Sequence, residues 1–334
     1  MLKSMLAKAR GLRYNHFRKN ESKGRIPMNW FVFSLITMLA WGAADLFYKK
    51  GADESDRYSH LKTSVMVGVV MGLHAIFTLA FGHIGYQPIN LVLYLPVSLM
   101  YILSMTVGYF GLRYLELSIS SPIENTSGAV VCILCAIFLH QTMELPLIAA
   151  VVVIYLAIFL LGLIEKKQAD ALREAGDEKY RIGFIAFFMP IIYCVIDALG
   201  TFFDAYYLDD VATTPLRGVT EDTIEAVANT SYELTFLLAA AILFFYMRVI
   251  KKERMPIRKQ GARTVAAVFE TAGQFTYVYA MSDKAIIAAP MVACYSIVSM
   301  ILSRIFLKEK LTKTQYACIA VVMIGIAVLG FYDV

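Results

Sequence analysis

Ten runs of apolar residues, each near the length of a bilayer-crossing helix, fill almost all of this 334-residue chain. They fall near 30–48, 61–82, 90–112, 119–139, 146–164, 182–207, 231–249, 264–281, 285–307 and 314–332. A hydrocarbon core of about 30 Å takes roughly 20 apolar residues in helical form, so each run is a candidate span. In lipid, backbone polar groups must be satisfied inside a helix or around a closed barrel. Barrel strands alternate apolar and polar residues, and a run such as VVVIYLAIFLLGL has no alternation. The expected fold is an all-α integral membrane protein of ten transmembrane helices. Composition agrees, with 59% hydrophobic and 17% charged residues, against roughly 45–50% and 25% in soluble domains. Runs separated by a few residues, as at 112–119 and 281–285, must be antiparallel neighbours. Residues 1–28 read as a basic N-terminal tail and not a cleaved signal, because the run that follows is long enough to span.

Lys and Arg resist export, so their distribution over short loops orients a helical membrane protein. Loops after odd-numbered runs hold twenty of them, whereas loops after even-numbered runs hold two, Arg217 and Lys284. That places the odd loops in the cytoplasm and the acidic, turn-rich segment LDDVATTPLRGVTEDTIEAVAN outside. The tail conflicts with this, because its eight Lys or Arg residues resist the export that the orientation demands. Two readings stay open, a native start at Met28 or a bundle of the opposite sense. The five cysteines all fall within runs, where thiols pack as small apolar groups. Cys132 and Cys135 form a CxxC with no charged or His partner nearby, so no metal site is expected.

The chain also repeats itself. SPIENTSGAVVCILCAIFLHQTM (121–143) aligns without gaps on APMVACYSIVSMILSRIFLKEKL (289–311), an offset of 168 residues that matches Pro122 with Pro290. Each half opens with a helix bearing an aspartate, Asp45 and Asp197. Five is odd, so the halves are expected to be inverted repeats, 29–165 and 182–334. A charged linker, 166–181, joins them, and the second half carries a non-membrane loop at 208–229. Inverted repeats place substrate sites near the midplane.

Trp41, Gly42 and the lysines Lys49 and Lys50 of the first run, with the stretch from Pro290 through Phe306, Leu307, Lys308 and Glu309, carry a resemblance to a known family. The chain resembles the drug/metabolite transporter superfamily, specifically its ten-helix EamA-type members, over about residues 29–332. The first half departs from the pattern, with His140, Gln141 and Thr142 where the second half has Lys-Glu-Lys. The resemblance implies secondary transport and leaves the cargo open.

An ionisable side chain at the bilayer centre costs about 2.5–3.5 kcal/mol on insertion scales, so each acid within a run needs water, a partner or an escape to the interface. Asp45 lies one turn before Lys49 and either pairs with Lys49 or Lys50 at the interface or faces a pathway beside Trp41, one turn deeper. Glu124 closes Ser121-Pro122-Ile123-Glu124, a capping-box pattern that marks a helix start. It also heads a polar cluster with Asn125, Thr126 and Ser127 that a lipid-facing helix would not hold. Thr230-Ser231-Tyr232-Glu233 reads as another helix start, so Glu233 is left out. Asp197 lies roughly 23 Å beyond Arg181, too far for a lysine or arginine to rescue it. Glu270 is followed at i+4 and i+7 by Gln274 and Tyr277, a polar stripe on one helix face. His74 reads as a hydrogen-bonded packing residue. The fifth and tenth runs hold no charged or amide side chain and belong at the periphery, which leaves the first, second, fourth, sixth and eighth around a cavity. Tyr109 and Tyr193 add aromatic surface with hydroxyls. The candidate substrate-binding set is Trp41, Asp45, Tyr109, Glu124, Asn125, Tyr193, Asp197, Glu270, Gln274 and Tyr277.

Acids beside aromatic rings suit a cationic or amine-bearing cargo and also carry protons. The expected function is secondary active transport of a small polar or cationic metabolite or drug by alternating access, with protons as coupling ion and Asp197 and Glu270 as coupling residues. A facilitative exchanger or lipid-group flippase of the same fold is the alternative. Two membrane aspartates also suit an intramembrane aspartyl protease. Asp197 sits in VIDALG, however, and not in the YD or GxGD contexts such proteases resemble, so no enzymatic activity is expected. The absence of GxxxxGK[ST] leaves ATP-driven transport unsupported. No cofactor is expected, and the basic loop RVIKKERMPIRKQGAR suits anionic headgroups better than nucleic acid. The expected setting is a bacterial plasma membrane, as monomer or homodimer.

Overall fold

The computed structural model describes residues 30–53, 55–111, 124–174, 184–306, 308 and 311–333. The N-terminal tail and the Ser121-Pro122 part of the first capping pattern lie outside the described residues. Among the described residues every regular element is helical: α1 (Trp30–Gly51), α2 (Ser59–Phe81), α3 (Ile89–Leu93), α4 (Leu95–Gly111), α5 (Ser127–Phe138), α6 (Leu145–Glu174), α7 (Phe184–Leu208), α8 (Ile224–Phe245), α9 (Gly261–Ala293), α10 (Tyr295–Phe306) and α11 (Lys313–Asp333). A π-helical turn, Tyr246–Ile250, extends α8, and a 3₁₀ turn, Ile257–Lys259, precedes α9.

Local propensity does not explain these helices. The sequence of α6, LPLIAAVVVIYLAIFLLGL, is rich in β-branched residues that disfavour helix in water. In lipid the balance reverses, because a helix satisfies its own backbone. Six helices are long and apolar enough to cross a membrane, and shorter apolar helices accompany them. Their outer faces present Leu73, Phe77, Leu156, Phe159 and Ile242 to the surroundings, while Ser34, Thr37, Ser98 and Ser104 are buried. That is the reverse of a water-soluble protein. The chain is an integral membrane protein.

Helix α9 is two legs. Lys284 leaves helical geometry (φ −151°, ψ 71°) and turns the chain back. The flanking residues bond to groups at one end of the bundle: Asp283 accepts from Trp30 N, Ser282 donates to Glu225, and Ile286 N donates to Gln141. Further in, Gly273 of the first leg abuts Trp41, while Tyr295 and Val298, beyond the second leg, abut Gly42. Two stretches of one chain therefore lie level with the same turn of α1, so the second leg with α10 returns antiparallel to the first.

The first leg of α9 packs along α1, and α7 packs along α4. Helix α2 pairs with α8, α6 pairs with α11 at the periphery, α10 lies on α1, and α5 lies on α7. Small residues permit the close approaches that helix packing in lipid favours. A Cβ on Gly42 would sit 2.6 Å from Val298 Cβ, and one on Gly68 2.7 Å from Ala240 Cβ.

Several boundaries differ from the sequence reading: α6 runs on to Glu174, into the stretch read as a linker, and the ninth run is broken at Cys294 between α9 and α10. The third run is interrupted at Tyr94, between α3 and α4. Helix α8 starts at Ile224, well before 231, and the outer loop ends correspondingly early. Thr230-Ser231-Tyr232-Glu233 is thus helix interior and not a capping box. Its polar side chains are buried against neighbouring elements, with Ser231 bonded to Tyr86 and Glu233 to His74. Polarity that looked like a helix start is polarity facing inward.

Candidate functional site

A cavity of about 100 Å³ lies in the middle of the bundle, bounded by α1, α4, α5, α7, α8, both legs of α9 and the start of α10. A single water needs only ~10–15 Å³, so there is room for several waters or a small organic group. All ten candidate residues line it.

Helical spacing sets each wall. On α1, Trp41 and Asp45 are joined by Tyr48, at i, i+4 and i+7. On α7, Tyr193 and Asp197 continue into Thr201, and on α9 the stripe Glu270, Gln274 and Tyr277 faces inward as one row. Tyr109 comes from α4 with Tyr101, Met105 and Gly108. Glu124 and Asn125 lie just before α5, with Ser127 at its start. Asp45 turns into the cavity, while Lys50 lies over the rings of Phe47 and Phe306 at 5.2 and 5.6 Å.

Contacts across the cavity join the helices. The Trp41 indole N–H donates to the Glu270 carbonyl at 3.3 Å. Its ring lies 5.0 Å from Tyr277 and 5.9 Å from Tyr295. The indole fits because residue 273 is glycine, since any Cβ there would strike it. Tyr48 donates its hydroxyl to Glu270 Oε2 at 3.4 Å, and its ring lies 4.8 Å from that of Tyr109, tilted by 51°. Ser127 Oγ donates to Asp197 Oδ2 at 2.8 Å. The Tyr101 hydroxyl sits 2.8 Å from that of Tyr277 and 2.9 Å from Thr201 Oγ1. Asp45 Oδ2 and the Tyr109 hydroxyl are buried with no hydrogen bond among the described residues.

Four carboxylates, Asp45, Glu124, Asp197 and Glu270, face this space, and among the described residues no Lys, Arg or His lines it. Glu124 and Glu270 each lie within electrostatic reach of both Asp45 and Asp197. Four uncompensated negative charges in so small a volume are untenable, and the set requires protons or a cation. Among the described residues no cluster of His, Cys, Asp and Glu has the arrangement of a metal site.

The second span does not line the cavity, contrary to the sequence reading. His74 Nδ1 lies 2.8 Å from both carboxylate oxygens of Glu233, which also accepts from Asn229 Nδ2 at 3.0 Å, so this polarity is used up between α2 and α8. The third span takes its place. Tyr48, Tyr101, Thr201, Tyr232 and Tyr295 were not among the candidates. Tyr48 and Thr201 could have been found by extending the i+3/i+4 rows from Asp45 and Asp197, whereas Tyr232 was hidden inside the apparent capping box.

The sequence pattern of the EamA-like transporter family matches residues 28–163 and 218–331. A solved structure described only as "Crystal structure of protein" is similar over 90% of this chain and 96% of its own, with a TM-score of 0.65 at 12% sequence identity. At that identity the likeness is one of fold. No match was found among curated proteins.

Proposed function

The chain belongs to the EamA-like transporter family, and from that premise we propose that it is a secondary transporter that exchanges protons for a small organic cation. One observation carries the reading: four carboxylates converge on an aromatic-walled cavity that no basic side chain among the described residues lines. Aromatic faces attract cations, most strongly where water is excluded, and carboxylates supply the counter-charge. A proton and an organic cation neutralise the same acids, so they compete, and competition at one site suffices to couple two opposed fluxes.

Alternating access is the mechanism, and inverted repeats supply it. Two observations support the repeat. Exchanging the halves maps the packing onto itself: α1 on the first leg of α9 corresponds to α7 on α4, α10 on α1 to α5 on α7, and the α2–α8 and α6–α11 pairs to themselves. Among the described residues, the non-glycine residues with positive φ also form two pairs. His83 pairs with Lys252 and His140 with Lys308, 169 and 168 residues apart. Left-handed geometry is costly for such residues, and its recurrence at the repeat offset marks equivalent helix ends.

Tetramethylammonium is a suitable probe, because its fixed charge prevents leakage as a neutral base. In proteoliposomes with an acidic lumen the protein is expected to concentrate it, and Asp197→Asn to abolish that accumulation. Unchanged, proton-driven uptake by Asp197→Asn would remove Asp197 from the mechanism. No uptake by the unmodified protein of tetramethylammonium or of primary amines would overturn the cation reading.

A further inference from the structure

Besides Glu233, which is paired with His74, another buried acid lies outside the cavity. Asp204 is seven residues beyond Asp197 on the same face of α7, about 10 Å further along at 1.5 Å per residue, with Thr201 between them. It is fully buried. Tyr94, at the break between α3 and α4, donates its hydroxyl to Oδ1, while Oδ2 has no hydrogen bond among the described residues. The groups that face it are neutral hydroxyls: Tyr94, Tyr101 from α4, Tyr232 from α8 and Tyr277 from α9. Tyr207, one turn on, is bonded elsewhere, to the Leu93 carbonyl at 2.9 Å. No lysine, arginine or histidine among the described residues donates to the carboxyl.

Tyr101 and Tyr277 both line the cavity and are bonded to each other, and Tyr101 is bonded to Thr201, so a row of three joined hydroxyls borders the four-acid cavity, and two of them, Tyr101 and Tyr277, lie within electrostatic reach of Asp204. Each hydroxyl can accept one proton while donating another. A water or a hydroxyl rotation completes the step from Tyr277 to the open Oδ2. We propose that Asp204 is a second proton-binding site, separate from the substrate cavity and joined to it through Thr201, Tyr101 and Tyr277. The proton bound at Oδ2 comes from the cavity acids and leaves by the same hydroxyls or past Tyr94. No covalent bond other than O–H is made or broken. A buried carboxylate with a single hydrogen bond and no cation is costly, and a proton removes that cost. The substrate has no access to Asp204, so this proton is not displaced by direct competition. The coupling role rests on the transport reading above, whereas proton binding does not.

The test uses the full-length protein in lipid. Infrared difference spectra between acidic and alkaline buffer are expected to contain a protonated-carboxyl C=O component that Asp204→Asn removes. Tyr94→Phe, which keeps the ring and its packing, is expected to shift the titration midpoint of that component, and Tyr207→Phe to leave it in place. In proteoliposomes, Asp204→Asn is expected to lose pH-driven accumulation of tetramethylammonium while retaining its gradient-free exchange, which also shows that the variant is folded. An Asp204→Asn spectrum identical to that of the unmodified protein would overturn the site, as would a Tyr94→Phe midpoint that stays put if Asp204→Asn does not fold. Undiminished pH-driven accumulation by Asp204→Asn would overturn its role in coupling. If the unmodified protein moves no tetramethylammonium, the transport reading is what fails, and the spectra alone decide the proton site.

Discussion

At the end of the bundle that carries residues 82–88 and 209–223, several of the ties between elements are hydrogen bonds to backbone atoms, whereas at the opposite end charged side chains bond to other side chains. Asn90 bonds both ways with Arg217, its Nδ2 donating to the carbonyl at 2.9 Å and its Oδ1 accepting the N–H at 2.8 Å. Asp283 accepts from Trp30 N at 3.0 Å, and Gln141 from Ile286 N at 3.2 Å. At the other end Lys62 donates to Asp56 and Glu253, both at 2.8 Å, and Arg263 donates to Gln260 at 2.6 Å and Ser59 at 2.8 Å. A bond to backbone fixes position and is indifferent to salt. Ion pairs are screened, and their long side chains can exchange partners. The ties at the second end therefore depend on ionic strength more than those at the first.

Lys62→Met is expected to break the charged end most severely. It leaves two carboxylates without their cation, and because both are partly exposed the cost is about 2–3 kcal/mol. The thermal midpoint of the purified protein should fall by several degrees, and the salt sensitivity of the unmodified protein should largely vanish with it. An unchanged midpoint would mean that ions do not secure this end. Asn90→Ala should cost about 2 kcal/mol, since the donor and acceptor it pairs with are stranded. That loss should not vary with salt, and hydrogen exchange at the Arg217 amide should accelerate. A salt-dependent Asn90→Ala effect would erase the distinction between the ends. The smallest effect belongs to Gly218→Ala. Gly218 has φ +67° and its Cβ would meet the Gln87 amide, so about 1 kcal/mol is expected, read as a small drop in midpoint at any ionic strength.

Much of this arrangement was legible in the sequence because lipid enforces simple rules. Long apolar runs pointed to an all-helical membrane protein, and the expense of an acid in lipid singled out Asp45, Asp197 and Glu270, which the fold brings to one cavity with the other seven candidates. Local patterns misled where polarity had two explanations. Thr230 to Glu233 has the composition of a helix start, yet from inside α8 Ser231 bonds to the loop before α3, Glu233 to α2, and Tyr232 lines the cavity. The second run was placed around the cavity, but its His74, read as a hydrogen-bonded packing residue, is bonded to Glu233 from a distant part of the chain, and no single-helix argument can see a pair 159 residues apart. Tyrosines were underread for a related reason. Twenty are spread through the chain, and only packing shows that Tyr48, Tyr101, Tyr232 and Tyr295 share one space.

The reversal in α9 takes a single residue, Lys284, with helical backbone on both sides. So short a joint has no slack to absorb displacement. The stretch bearing Glu270 and Gln274 and the return stroke bearing Ala289, Val292 and Tyr295 are therefore joined without an intervening loop, so two facing walls of the chamber are one continuous piece of chain hinged at Lys284.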